Sequence, residues 1–273
     1  MNRRRVFRRL SLTVLLAVFA GAAQAQSIVG VLGIEREVGP IEARLKDSRE
    51  VPVRGYVFRV GTLNGRQVVV GRSGVGKVNA AIAATLLIGH FNPSAMFFSG
   101  TSGAIDQALR PGDVVIGTGT VQHDVGAVTS GGMVRLGVRN GVTGAVDPLI
   151  VPAPEVLLAA ARRAVAGLTL PPIESADGKR TPRILEGVIV TGDVFMSDTA
   201  RRDEIRSSVG ASAVEMEGAA MVQACRQFSV PCLVVRSITD RADGQAASSY
   251  KQFIAAASEN AATLVAAIIA RLP

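Results

Sequence analysis

The 273-residue sequence has no tryptophan, two cysteines, two histidines and only 4% aromatic residues. With only Cys225, Cys232, His90 and His123 available, no cluster has metal-ligand spacing, so neither a structural metal nor a metal cofactor is expected. Charge is sparse as well, at 19%, against 48% hydrophobic residues and 29 glycines, a balance that excludes disorder and suits a compact α/β protein. After the first 25 residues, no segment is expected to cross a bilayer.

Those first residues read as an export signal. Arg3, Arg4, Arg5, Arg8 and Arg9 form a basic start, Leu10 to Ala20 an apolar core, and Ala23-Gln24-Ala25 a small-x-small cleavage site. The expectation is cleavage after Ala25, a mature domain over 26–273, and a periplasmic or secreted location without stable membrane association. The whole chain carries a formal +8, but the leader holds five of its 30 basic residues and none of its 22 acids, which leaves +3. No basic run in the remainder is dense enough to follow a phosphate backbone, so no nucleic-acid partner is expected. An oxidising compartment permits a disulfide. Cys225 reads as helical and Cys232 as the start of the next strand, which favours two buried thiols instead.

Short apolar runs alternate with helical patterns along the chain. Strands are expected at Ile28 to Gly33, Ala95 to Ser99, Asp113 to Gly117, Gly187 to Thr191, Ala213 to Met216 and Cys232 to Ile238. Tyr56 to Val60 and Gln67 to Val70 flank Asn64-Gly65, a hairpin signal. Helices are expected at Glu35 to Lys46, Lys77 to His90, Pro154 to Ala166, Thr199 to Ser207, Glu217 to Phe228 and Tyr250 to Leu272. Residues 126–150 read as loop and irregular strand, and Leu170 to Pro182 as a surface excursion. The alternation implies one α/β domain, a three-layer α/β/α sandwich around a mixed, mostly parallel sheet.

Ligands in such folds sit beyond the carboxyl ends of strands. Four acid- or hydroxyl-bearing segments fall there: Glu35-Arg36-Glu37, Ser99-Gly100-Thr101-Ser102-Gly103, Glu215-Met216-Glu217 and Thr239-Asp240. Each acid is also acceptable as a helix N-terminal residue favoured by the dipole, Glu35 above all. The run Gly71 to Val78 nearly matches a phosphate-binding loop, but Val78 stands where Ser or Thr must hold Mg²⁺. It reads instead as a tight turn, or as a loop whose backbone N–H groups line a small polar pocket. A G-x-S-x-G elbow is absent, and a serine triad would depend on a His123–Asp124 pair. Phe195 and Met196 fit either core packing or a flat apolar wall for a base, with Met216 as a soft contact for a sugar.

With Gly74-Val75-Gly76-Lys77-Val78, Val214-Glu215-Met216-Glu217 and Arg236 to Asp243, the chain resembles the 5′-methylthioadenosine/S-adenosylhomocysteine nucleosidases of the nucleoside phosphorylase superfamily. The resemblance runs from about Ile28 to the C-terminal helix, with gaps near 126–185. It implies a phosphorylase-like fold, no cofactor, and hydrolysis of a purine nucleoside's N-glycosidic bond. Asp240 is then the general acid towards purine N7, Glu37 the base that orients water, and Glu217 the holder of the ribose 2′-OH. Phe195 and Met196 would contact the purine, Met216 the ribose, Glu215 the substrate region, and Thr101 and Gly103 the nucleophile pocket. The family usually carries Ser where this chain has Thr101. The stretch between His123 and Gly187 is longer than usual and is expected to shape the pocket for the 5′ group. The resemblance also suggests a homodimer, with a partner loop closing the pocket. Two rivals remain: a phosphorylase, for which Arg36 and Arg72 would have to face phosphate, and a non-catalytic exported nucleoside-binding or storage protein.

Overall fold

The computed structural model describes residues 27–175 and 178–273; the expected leader, residues 1–25, lies outside them. Strand β1 (Val29–Gly33) is wholly buried and leads directly into helix α1 (Glu35–Glu42). A meander follows, with β2 (Lys46–Val53), β3 (Tyr56–Leu63) and β4 (Arg66–Arg72). Then come α2 (Lys77–Phe91), β5 (Ala95–Ala104), β6 (Val114–Gln122), the hairpin β7 (Gly126–Thr129) and β8 (Gly132–Arg135), and β9 (Val151–Pro152). The chain continues through α3 (Glu155–Val165), the hairpin β10 (Ile173–Ser175) and β11 (Gly178–Arg180), β12 (Ile184–Thr191) and α4 (Thr199–Val209). It ends with β13 (Ala211–Glu215), α5 (Gly218–Gln227), β14 (Cys232–Asp240) and α6 (Ala246–Ala270).

The main sheet runs β13-β12-β6-β14-β5-β1-β4-β3-β2, with β9 beside β6. It is mixed. Strand β1 pairs parallel with β4 and β5, and β14 parallel with β5, whereas β14–β6, β3–β4 and β2–β3 are antiparallel. An extra antiparallel pairing of β13 with β5 closes β5-β14-β6-β12-β13 into a ring. Closure satisfies edges that would otherwise be open and gathers the far ends of β5, β13 and β14 in one place.

Alternate side chains of the buried strands serve two cores, as the period of two requires. Val29, Val31 and Phe97 pack with Val38 of α1, Leu157 of α3 and Leu264 of α6. Leu32, Met96 and Phe98 pack with Leu87 of α2 and Met221 of α5. Helix α6 is long and apolar enough to cross a bilayer by composition, contrary to the expectation from sequence. Its 18-residue apolar window is 67% buried within the protein, as in a core helix.

Two further expectations change. The helix expected to reach Lys46 ends at Glu42, and β2 begins at Lys46. Strand β2 is an exposed, charged edge with no apolar alternation, the pattern by which strands are recognised. The Asn64-Gly65 turn forms as expected, with both residues at positive φ (50° and 79°), as a tight two-residue hairpin needs. Cys225 and Cys232 form a disulfide rather than two thiols. Ser229 takes a left-handed conformation after α5, and the Val230 N–H returns to the Cys225 carbonyl at 2.9 Å. That turn brings the two Cα atoms to 6.3 Å, within disulfide range.

Candidate active site

Helix α1 starts one residue after β1, so Glu37 points back across the sheet's end and is 3% exposed. Strand β5 continues through Ser99-Gly100-Thr101-Ser102-Gly103, placing the Thr101 hydroxyl against Glu37 Oε1, to which it donates. Strand β13 ends at Glu215, and Glu217 sits at the start of α5. Strand β14 carries Arg236 and Asp240. A cavity of about 220 Å³ opens between these ends, and all nine residues singled out from the sequence line it: Glu37, Thr101, Gly103, Phe195, Met196, Glu215, Met216, Glu217 and Asp240.

Arg236 is the hub that sequence reading left without a role. Its side chain is fully buried, with its guanidinium carbon 4.4 Å from the Phe98 ring centre. Nη1 lies 3.4 Å from Glu37 Oε2, and Nη2 lies 3.4 Å from Glu217 Oε2 and close against Glu215 Oε2. Gly100 makes room for this, because a Cβ there would strike both Arg236 Nη1 and Glu37 Oε2. The chemical signal was present, since an Arg inside a wholly buried strand must find acids. Which acids it meets is set by strand order, which the sequence does not display.

One cation cannot balance three acids. Burial pushes Glu37 above its ordinary range against the opposing pull of Arg236 and the Thr101 hydroxyl. Burial also pushes Glu217 up, to about 7, with Glu215 and Glu37 adding repulsion, while Arg236 and the Gly76 N–H oppose it. Glu217 Oε1 accepts that Gly76 N–H at 2.9 Å, so the glycine loop does line a polar pocket. Glu215 differs. It accepts N–H groups from Glu217 (3.0 Å) and Gly218 (2.7 Å), the Thr191 hydroxyl and Arg236. Its oxygens are occupied by the protein, so it holds Arg236 and the start of α5 at the cavity wall.

Asp240 stands apart from the Arg236 cluster. Its Oδ1 accepts the Ala242 N–H at 2.9 Å, and its Oδ2 lies 2.8 Å from the Thr239 hydroxyl. A Cβ at Gly103 would approach Oδ1 to 2.8 Å, so glycine leaves Asp240 its space. Burial raises the Asp240 pKa, opposed by these two hydrogen bonds, and no cation pairs with it among the described residues. An acid so placed retains its proton more readily than an exposed one.

The remaining walls are apolar. Phe195 is 51% exposed at the mouth, meeting Tyr250 edge-on with ring centres 6.3 Å apart, and Met196 is buried. Tyr250, Ile34 and Val75 also line the cavity, although sequence reading gave them no part. The apolar side chains of Ile34 and Val75 carry no chemical signal by themselves, and Tyr250 read only as the start of the final helix. Arg72 is turned to Glu35 and Glu42, each at 2.8 Å, and neither it nor Arg36 lines the cavity. His123 and Asp124 do not pair through the imidazole. Among the described residues both ring nitrogens of His123 lack partners, and Asp124 binds Lys77 Nζ at 2.7 Å. Among the described residues, no group of three His, Cys, Asp or Glu is arranged to hold a metal ion.

The mixed sheet's converging strand ends carry acids around one cavity, and the model of the phosphorylase superfamily matches residues 27–270 of this chain, which places it in that class. A 5′-methylthioadenosine/S-adenosylhomocysteine nucleosidase of Psychromonas ingrahamii is 35% identical, over 89% of this chain and 99% of the relative. One from Marinomonas sp. is 36% identical, over 88% and 96%. Among solved structures, the nucleosidase of Neisseria meningitidis in complex with methylthio-immucillin-A shares 32% identity with a TM-score of 0.75, covering 89% of this chain and 98% of that one. The futalosine hydrolase of Helicobacter pylori shares 29% identity with a TM-score of 0.74, covering 89% and 97%. The chain belongs to the 5′-methylthioadenosine/S-adenosylhomocysteine nucleosidase family.

Proposed function

We propose that this protein hydrolyses the N-glycosidic bond of a purine nucleoside, 5′-methylthioadenosine and/or S-adenosylhomocysteine, and releases adenine. The observation that carries the reading is the convergence of Glu37, Glu217 and Asp240 on one cavity in three different electrostatic settings. Breaking the C1′–N9 bond leaves its electron pair on the purine and positive charge on the ribose. Asp240, without a cation and with its pKa raised, donates a proton to N7 as the bond breaks. Glu37, steadied by the Thr101 hydroxyl and Arg236, orients a water and takes its proton as oxygen bonds to C1′. Glu217 accepts the ribose 2′-OH and stabilises the developing cation, as carboxylates do in sugar hydrolysis. Phe195 and Met196 wall the purine, and Met216 lies against the ribose.

Phosphate is disfavoured as the nucleophile. It would face Glu37 and Glu217, while Arg236, the cation beside them, is already shared among three acids. The test is base release from methylthioadenosine, adenosylhomocysteine and unmodified nucleosides, with and without phosphate. Adenine without phosphate is the expected result. A strict phosphate requirement would establish a phosphorylase, and no release from any nucleoside a binding protein.

The fold reads as a three-layer sandwich, supported by the two cores on opposite faces of the sheet. Export with cleavage after Ala25 is supported by the leader pattern and by the Cys225–Cys232 disulfide. A secreted chain beginning at Gln26 with no free thiol is the expected result, and a cytosolic chain retaining Met1 would contradict it. A homodimer is supported by the exposed Val75, which lines the cavity, and the exposed Val78 and Ile82 on α2, and sedimentation tests it.

A further inference from the structure

Two loops that wall the cavity are tied together outside it through a third. The loops after β4 and β12 contribute Val75 and Phe195 to its wall, and the third, after β6, carries Asp124 behind them. The Lys77 N–H donates to Asp193 Oδ1 at 2.8 Å. The Asp193 N–H donates to Asp124 Oδ2 at 2.9 Å. Lys77 Nζ donates to Asp124 Oδ1 at 2.7 Å and closes the ring. Each partner is charged or carries a charged acceptor, so these are strong bonds. The ring is also well balanced. Burial pushes Asp124 up, but Lys77 and the Asp193 N–H outweigh it and hold the carboxyl below its ordinary range.

The ring fixes the peptide next to the one that matters. Gly76, immediately before Lys77, takes φ 92°, a conformation that excludes most other residues. Its N–H is the backbone donor to Glu217 Oε1. Every other charged group facing Glu217 comes from elsewhere: Arg236 of β14, Glu215 of β13 and Glu37 of α1, with Tyr250 of α6 nearby. Arg236 and the Gly76 N–H are therefore what favour the ionised form of Glu217 against burial and its acid neighbours, and the Gly76 contact depends on a loop outside the acid cluster.

We propose that Lys77, Asp124 and Asp193 are positioning residues, which hold the Gly76 N–H on Glu217 and keep that side chain aimed at the ribose. The inference rests on the nucleosidase reading only for the last step, the contact with the ribose.

The test uses two variants of opposite charge, Lys77→Met and Asp193→Ala, the second of which removes the acceptor for the Lys77 N–H. A direct charge effect would move Glu217 in opposite directions, up without the lysine and down without the aspartate. A positioning role moves it up in both, because both release Gly76. The acid limb of kcat/KM should therefore shift to higher pH by about one unit in each variant, which is what losing one hydrogen bond to a charged group is worth. The deficit should shrink at pH 9, where Glu217 is ionised in every variant. Opposite shifts, or a uniform loss at all pH values, would overturn the proposal. Asp124→Asn, the milder change, serves if either variant fails to fold. Glu217 can also be titrated directly by carbon-13 NMR of labelled glutamate carboxyls, assigned with Glu217→Gln. That reading needs no turnover, so an inactive wild type would remove the nucleosidase reading while still testing the ring.

Discussion

Two buried ionic clusters in this protein are built in opposite proportions. Asp113 is wholly buried and is served by Arg180 at 2.8 Å and Arg183 at 3.0 Å, with the Arg183 and Arg110 N–H groups at 2.9 and 3.1 Å. Burial pushes Asp113 up, but these bonds outweigh it and hold its pKa below the ordinary range. At the cavity, three acids share Arg236, and burial leaves Glu37 and Glu217 above theirs. A fully supplied acid is inert and ties chain segments together. An undersupplied one is pushed up, as Glu217 is to about 7, near its protonation point at neutral pH, where it can exchange protons or accept a substrate hydroxyl. Burial alone does not separate the two; the count of donors does.

The largest effect should come from Asp240, the acid that pairs with no cation among the described residues. Asp240→Asn removes the transferable proton, and turnover should fall about a thousandfold while nucleoside binding by calorimetry persists. Near-normal turnover would end the acid assignment. Next, Arg236→Met leaves three buried acids with no counter-charge. Denaturant unfolding should show a loss of about 3–5 kcal/mol at pH 8, easing at pH 5 as the acids protonate. An equal loss at both values would mean that packing against Phe98, rather than charge, is what matters.

A smaller effect separates the clusters by sign. The folded pKa of Glu217, about 7, lies above its ordinary 4.5. Its contribution to stability is present below pH 4.5 and lost as pH rises through 7. Glu217→Gln should therefore be more stable than wild type at pH 8, by about 1–2 kcal/mol, and not at pH 5. Asp113, depressed below 3.8, contributes above that value and loses its contribution as pH falls through its folded pKa. Asp113→Asn should therefore be the less stable chain at pH 7 and approach wild type only in strong acid.

Much of the site was legible because its acids directly follow apolar strands. Glu37, Glu217 and Asp240 needed only that placement and their neighbouring motifs. Arg236 was not, because its partners come from β1–α1 and β13–α5, and pairing across a sheet leaves no mark of spacing. Glu215 looked equivalent to Glu217 in sequence; only the two backbone N–H groups on its carboxylate show it to be occupied. In the fold, Asn64-Gly65 fixed its hairpin through local conformation, whereas the charged edge β2 had no apolar period to reveal it. The disulfide turned on one left-handed residue, Ser229, between a helix and a strand that had seemed to diverge.

The most direct measurement compares Glu37→Gln with Asp113→Asn for adenine release from methylthioadenosine in phosphate-free buffer, at a temperature where both remain folded. The undersupplied cluster should matter and the supplied one should not. Glu37→Gln is expected to lose activity about a thousandfold, and Asp113→Asn to keep nearly all of it. Comparable activity in the two variants would contradict the account.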